Sequence, residues 1–168
     1  AVSAALLAAC STIPMRPRGE WLSARTPRFE IASGLSPRET LALASRLERF
    51  HALALAFAEL EAPELGVPTR VVLFPHTRNF AALRPRRELR GFFRSTAHAN
   101  YLAVDAGDPR ASLQIAQHEL VHLLQLGGDR ESEPAWFREG LADLLSTAEL
   151  AGDEAELGAA PDGHQRLA

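Results

Sequence analysis

Apolar side chains recur every three or four positions along three stretches of this chain and alternate with polar ones in shorter stretches, a pattern that predicts three helices and several strands. The first helix is expected over 37 to 61. Ser36-Pro37-Arg38-Glu39 forms a capping box with proline at the first helical position, and Leu41, Ala44, Leu47, Leu55 and Ala58 make a wide buried stripe. His51 falls inside that helix and reads as a structural or exposed residue rather than a ligand. A second helix is expected over 109 to 126, with Asp108 as N-cap, Pro109 at the first helical position and Gly127-Gly128 as its stop. Leu113, Ala116, Leu120, Val121, Leu123 and Leu124 make it largely buried. A third helix is expected over 134 to 147, with Pro134 at its start and apolar residues on its inner side. Phe29-Glu30-Ile31-Ala32 alternates as a short strand, 70 to 74 reads as a buried strand, and 100 to 104 as another. The expected class is therefore α/β (α+β): a small mixed sheet with a long helix on one side and two further helices.

The second helix carries chemistry. His118-Glu119-Leu120-Val121-His122 places two imidazoles one turn apart, roughly 6 Å along the axis, so both rings can converge on one zinc ion. Glu119 projects beside them as the general base for a water whose pKa the metal lowers from about 16 to roughly 7. The bland alternative, two core histidines satisfied by ordinary hydrogen bonds, is weighed against a buried helical context. Catalytic zinc usually has three protein ligands plus water. A histidine-rich extension is excluded, because Gln125 and Gly128 stand where it would need Gly and His. A glutamate on the following helix remains, and Glu139 and Asp143 share one face there.

With these residues the chain resembles the gluzincins, metallopeptidases with a His-Glu-x-x-His helix and a third zinc ligand from a Glu on the next helix. Within them, Pro134-x-Trp136-x-x-Glu139-Gly140-x-Ala142-Asp143 is similar to the bacterial peptidase-MA-like proteins. The strong match covers about a quarter of the chain. The resemblance implies a zincin-like fold, zinc ligands His118, His122 and Glu139, Glu119 as general base, and Asp143 as the acceptor that fixes the first histidine's tautomer. It implies an edge strand just before the zinc helix that pairs with an extended peptide or protein substrate, and 100 to 104 fits that strand. Tyr101 and His98 are weak candidates for polarising the scissile carbonyl, each also readable as an ordinary strand residue. No Gly-x-Met-Glu-Asn run of the aminopeptidase branch is present, which points to an endopeptidase. Gly140 is expected to let the two metal helices approach closely, and Trp136 and Phe137 to pack as core or site-wall residues.

Composition narrows the setting. The chain has 168 residues, 46% hydrophobic, with a formal net charge of −3, which suits one compact catalytic domain and gives no pull towards nucleic acid. All 18 basic residues are arginine, a usage resembling the codon bias of a GC-rich bacterium. Arg84, Arg86, Arg87, Arg90 and Arg94 form a cluster that suits an acidic substrate or lipid headgroup, against the simpler reading of a solvated face. The run Ala4-Ala5-Leu6-Leu7-Ala8-Ala9-Cys10 resembles a bacterial lipobox, in which residues 1–9 are a trimmed signal remnant and Cys10 is lipidated. Ser11 after the cysteine favours an outer-membrane anchor facing the periplasm of the cell envelope. Residues 10–27 are expected to be a flexible tether and 28–168 the catalytic domain, truncated at its C-terminal end relative to the proteins it resembles. A rival reading is a zinc-retaining, non-catalytic binding or scaffold module of the envelope. Structural zinc is weaker, because closed sites use four protein ligands.

Overall fold

The computed structural model describes residues 15–18, 21–58, 66–126, 132–151 and 154–158. Its centre is a six-stranded mixed sheet made of β1 (Met15–Arg18), β2 (Trp21–Arg25), β3 (Phe29–Ser33), β4 (Thr69–Phe74), β5 (Gly91–Ser95) and β6 (Asn100–Asp105). The strand order is β1-β2-β3-β4-β6-β5, with β3, β4 and β6 parallel and the others antiparallel to their neighbours. The helices are α1 (Pro37–Phe57), α2 (Thr77–Ala81), α3 (Pro109–Leu124) and α4 (Ala135–Ser146). A small hairpin, β7 (Glu149–Ala151) and β8 (Glu154–Glu156), follows α4. The mixed α and β architecture agrees with the expected class. No helix among the described residues is long and apolar enough to cross a membrane.

Side-chain alternation decides what each sheet face meets. Phe29, Ile31, Val71, Leu73, Leu102 and Val104 face the α1 and α3 side and join Leu47, Phe50, Leu120 and Leu124 in the main core. Ala103, Val72, Phe74 and Phe92 face the other way, beneath Phe80 of α2. Each fully buried Leu or Phe contributes about 1.5–3 kcal/mol. These residues therefore outweigh the polar positions in choosing which side of each helix turns inward.

The capping box that opens α1 is formed as expected. The Ser36 N–H donates to Glu39 Oε2 at 3.0 Å and the Glu39 N–H donates to Ser36 Oγ at 3.3 Å. At the start of α3 the Ala111 N–H donates to Asp108 Oδ1 at 3.2 Å, the N-cap bond read from the sequence. The expected glycine stop of α3 lies outside the described residues.

Two expectations are corrected. The segment read as a tether contains β1 and β2, so the sheet begins at Met15 rather than near Arg28. Proline and arginine are compatible with a strand there, because β1 is the sheet edge, the place in a sheet where both residue types are tolerated. In addition, β6 is an interior strand between β4 and β5, and the edge beside it is β5. Its apolar pattern suits either place; only the pairing distinguishes them.

His51 is a buried imidazole packed edge-on to Phe29, and its Nδ1 has no hydrogen-bond partner among the described residues. Burial, with a smaller contribution from Arg28 and opposed by Glu48, pushes its pKa down from 6.5 to about 4. The unfolded chain takes up that proton near pH 6.5 and the folded chain only near pH 4. This contribution to stability is thus full above pH 6.5 and lost as pH falls towards 4. On lowering the pH from 7.5 to 5, wild type should lose on the order of 2 kcal/mol more than His51→Leu, measured by urea unfolding. Parallel losses in the two proteins would remove His51 as the cause.

Candidate metal centre

Rotation of α3 is set by its apolar face. Leu120, Val121, Leu123 and Leu124 are buried against the sheet and α1, so positions 118, 119 and 122 turn towards the open side next to α4 and β5. The turn leading into α3 is held by Asp105, whose buried carboxylate accepts from Thr77 Oγ1 at 2.9 Å and from the Gly107 N–H at 3.3 Å. Arg90 lies 3.7 Å from the same carboxylate, which gives one arginine of the basic cluster a structural task.

His118 Nε2 and His122 Nε2 lie 3.1 Å apart, and Glu139 Oε2 of α4 lies 3.5 Å from each. These three side chains could hold a metal ion. On the far side of each ring, His118 Nδ1 is 3.1 Å from Asp143 Oδ1, and His122 Nδ1 is 3.1 Å from Gln125 Oε1. A carboxylate only accepts. Gln125 Nε2 donates to the Arg138 carbonyl at 3.1 Å, so the amide oxygen is the atom facing His122. Both Nδ1 atoms therefore carry protons, and both Nε2 lone pairs point at one space beside a carboxylate oxygen. A hydrogen bond between the Nε2 atoms would need one ring to be an imidazolium. Burial, reinforced by His122, lowers the His118 pKa and opposes that state, although Asp143 and Glu139 act the other way. A metal ion could sit where these three lone-pair donors converge.

Glu119 is not part of this triad. Burial pushes its carboxyl up to about 7, against the lowering effects of His122 and of the Phe93 backbone N–H, which donates to it. The Asp105 N–H donates to the Arg90 carbonyl at 2.8 Å, and from that pair the antiparallel alternation leaves the Phe93 N–H pointing out of the free edge of β5. The half-buried carboxylate thus sits beside the edge strand. Gly91 makes this approach possible: a Cβ there would lie 2.2 Å from Ile115 Cγ2 and 3.4 Å from Glu119 Cγ. Ile115 is β-branched and stiff in a helix, so α3 itself would have to move. Gly91→Ala should cost about 1–3 kcal/mol in urea unfolding, and adding Ile115→Ala should recover part of that loss. A fully stable single variant would show that the contact relaxes freely.

The structure brings together His118, His122, Glu139, Asp143 and Glu119. It does not bring in Tyr101, whose hydroxyl accepts from Arg70 Nη1 at 3.2 Å on the sheet face opposite α3. Alternation puts it there, since Leu102 and Val104 take the helix side. His98 is exposed in the turn between β5 and β6 and is not a member of the converging group. The readings of Gly140 and of the aromatic pair are also corrected. A Cβ at Gly140 would meet nothing within 4 Å, so it permits no close helix approach. Trp136 is 76% exposed and Phe137 36%, edge-on against each other, which overturns the core half of the core-or-site-wall reading. Cys10 lies outside the described residues.

Three contributors escaped the sequence reading. Gln125 stands three residues after His122, a spacing that shares a helix face and could have pointed to it. Gly91 carried only the weak signal of a glycine in a strand. Phe93 acts through its backbone and carried no signal. Comparison with protein-family profiles, with curated proteins and with solved structures gave no match.

Proposed function

We propose that the protein is a zinc-dependent metallopeptidase of gluzincin type, related to the peptidase-MA-like proteins and acting as an endopeptidase on peptide or protein substrates. The observation that carries this reading is the convergence of two Nε2 atoms and one carboxylate oxygen, each histidine with an oxygen at its far nitrogen. Four-coordinate zinc with bonds of about 2.0–2.1 Å spaces neighbouring ligand atoms about 3.4 Å apart. The separations here are 3.1, 3.5 and 3.5 Å. Nitrogen and oxygen donors of this kind suit zinc, and cysteine is absent from the set. The antiparallel edge strand β5 beside the histidine helix fits a zincin-like fold, and its outward backbone groups other than the Phe93 N–H, which Glu119 takes, suit pairing with an extended substrate.

Zinc held by His118, His122 and Glu139 would supply Lewis-acid polarisation of the carbonyl and acidification of water. Glu119 takes a proton from the attacking water and returns it to the leaving amine, while Phe93 and the surrounding core keep its carboxylate in place. Asp143 steadies His118. The lipobox-like run around Cys10 supports a periplasm-facing lipoprotein of the bacterial cell envelope.

A second reading is favoured by one observation: neither Tyr101 nor His98 is placed to stabilise an oxyanion. In that reading the chain keeps zinc as a non-catalytic binding or scaffold module. Zinc stoichiometry and cleavage of an unbiased peptide mixture decide between them. Zinc binding with cleavage supports the peptidase; zinc binding without cleavage supports the module; no zinc binding rejects both.

A further inference from the structure

We propose that Gln125 is a positioning residue that fixes the tautomer of the ligand His122, so that the metal affinity of the centre depends on its amide oxygen; this rests on the metal-centre reading above. Gln125 is 3% exposed at the end of α3, and both halves of its amide are engaged. Oε1 lies 3.1 Å from His122 Nδ1, and Nε2 donates to the Arg138 carbonyl of α4 at 3.1 Å. The second bond orients the first. Reversing the amide would set its NH2 against His122 Nδ1 and its oxygen against a carbonyl oxygen, losing one bond and creating a repulsion. His122 is therefore held with its proton on Nδ1 and its lone pair on Nε2, 3.5 Å from the Glu139 carboxylate oxygen.

A consequence distinguishes Gln125 from Asp143. Asp143 and Glu139 both belong to α4, and Asp143 orients His118 from that helix. Gln125 directly follows α3 and reads the position of α4 through the carbonyl of Arg138, the residue immediately before Glu139. One buried amide thus couples the tautomer of one ligand to the placement of the helix that brings another. An apolar residue of similar volume would leave the Nδ1 proton without an acceptor in a half-buried setting, which favours the alternative tautomer with the proton on Nε2, the atom the metal needs.

The test uses two substitutions and reads zinc affinity by competition with a chromogenic chelator, with circular dichroism as the folding control. Gln125→Met keeps the shape and removes both bonds; it should weaken zinc binding about 10–100-fold. Gln125→Glu keeps an acceptor for His122 while losing the donor to Arg138; it should stay within about threefold of wild type in zinc affinity while melting at a lower temperature without metal. Equal weakening by both would reduce Gln125 to a tie between helices and overturn the proposal, as would unchanged affinity in Gln125→Met. If either variant does not fold, nitrogen NMR of 15N-histidine in the zinc-loaded wild type decides: a proton on His122 Nδ1 is expected, and a proton on Nε2 overturns the assignment. Wild type that binds no zinc would instead defeat the metal-centre reading itself.

Discussion

Glu119→Gln should bind zinc at the wild-type stoichiometry and cleave peptides about a thousandfold or more slowly. The two effects separate because the carboxylate is not a member of the ligand triad. Glutamine has nearly the same shape, and its amide oxygen can still accept the Phe93 N–H, so packing beneath β5 is kept. Basicity is what it loses. A neutral amide cannot take a proton from water or carry it to a leaving amine, so the proposed peptidase would lose its general base. Metal analysis and single-peptide kinetics on the same preparation check both halves. Turnover that survives the substitution would assign the base elsewhere. Zinc lost together with activity would mean that Glu119 is a ligand or that the helix has shifted.

His122→Ala and Glu139→Ala should each abolish measurable zinc binding in a micromolar competition assay, whereas Asp143→Ala should weaken it only about 10–100-fold. The ordering follows from contact. His122 Nε2 and Glu139 Oε2 face the shared centre, while Asp143 acts through the far nitrogen of His118. The same hierarchy should appear in thermal unfolding, because an ion that binds only the folded chain adds about 4 kcal/mol when free zinc is a thousand times its dissociation constant. Wild type and Asp143→Ala should gain stability with zinc; the two ligand variants should not. Zinc lost in His122→Ala but retained in Glu139→Ala would exclude the carboxylate as third ligand. Glu139 is the more exposed of the two, with 61% of its side chain accessible, so its result is the sharper one.

Helical content was legible because its causes are local. The expected span 109 to 126 became α3, Pro109–Leu124, and the expected span 134 to 147 became α4, Ala135–Ser146. The Asp108 cap and the Ser36–Glu39 box were visible as residue types at fixed spacing, and the same atoms make the bonds. Strand identity was readable to within a residue or two for β3, β4 and β6, yet their neighbours were not. Met15–Arg18 carries too little alternation against its prolines and arginines to compete with a tether reading, and it becomes a strand because β2 offers it a ladder. The exposure of Trp136 was equally hidden: helical spacing groups aromatic residues on a face without saying whether anything covers it.

The chain by itself determined which atoms can bind a cation and that two of them share a helix face, since i and i+4 spacing is a property of the α-helix and needs no partner. Only tertiary structure decided that Glu139 reaches both histidines, that Gln125 and Asp143 set opposite ends of the pair, and that β5 rather than β6 forms the edge above Glu119. The physical reason is separation along the chain. Local spacing fixes directions around one helix axis, whereas strand order and the seating of α4 on α3 arise from burial of Leu120, Leu124, Ala142 and Leu145 in a common core, a collective choice that no single motif encodes.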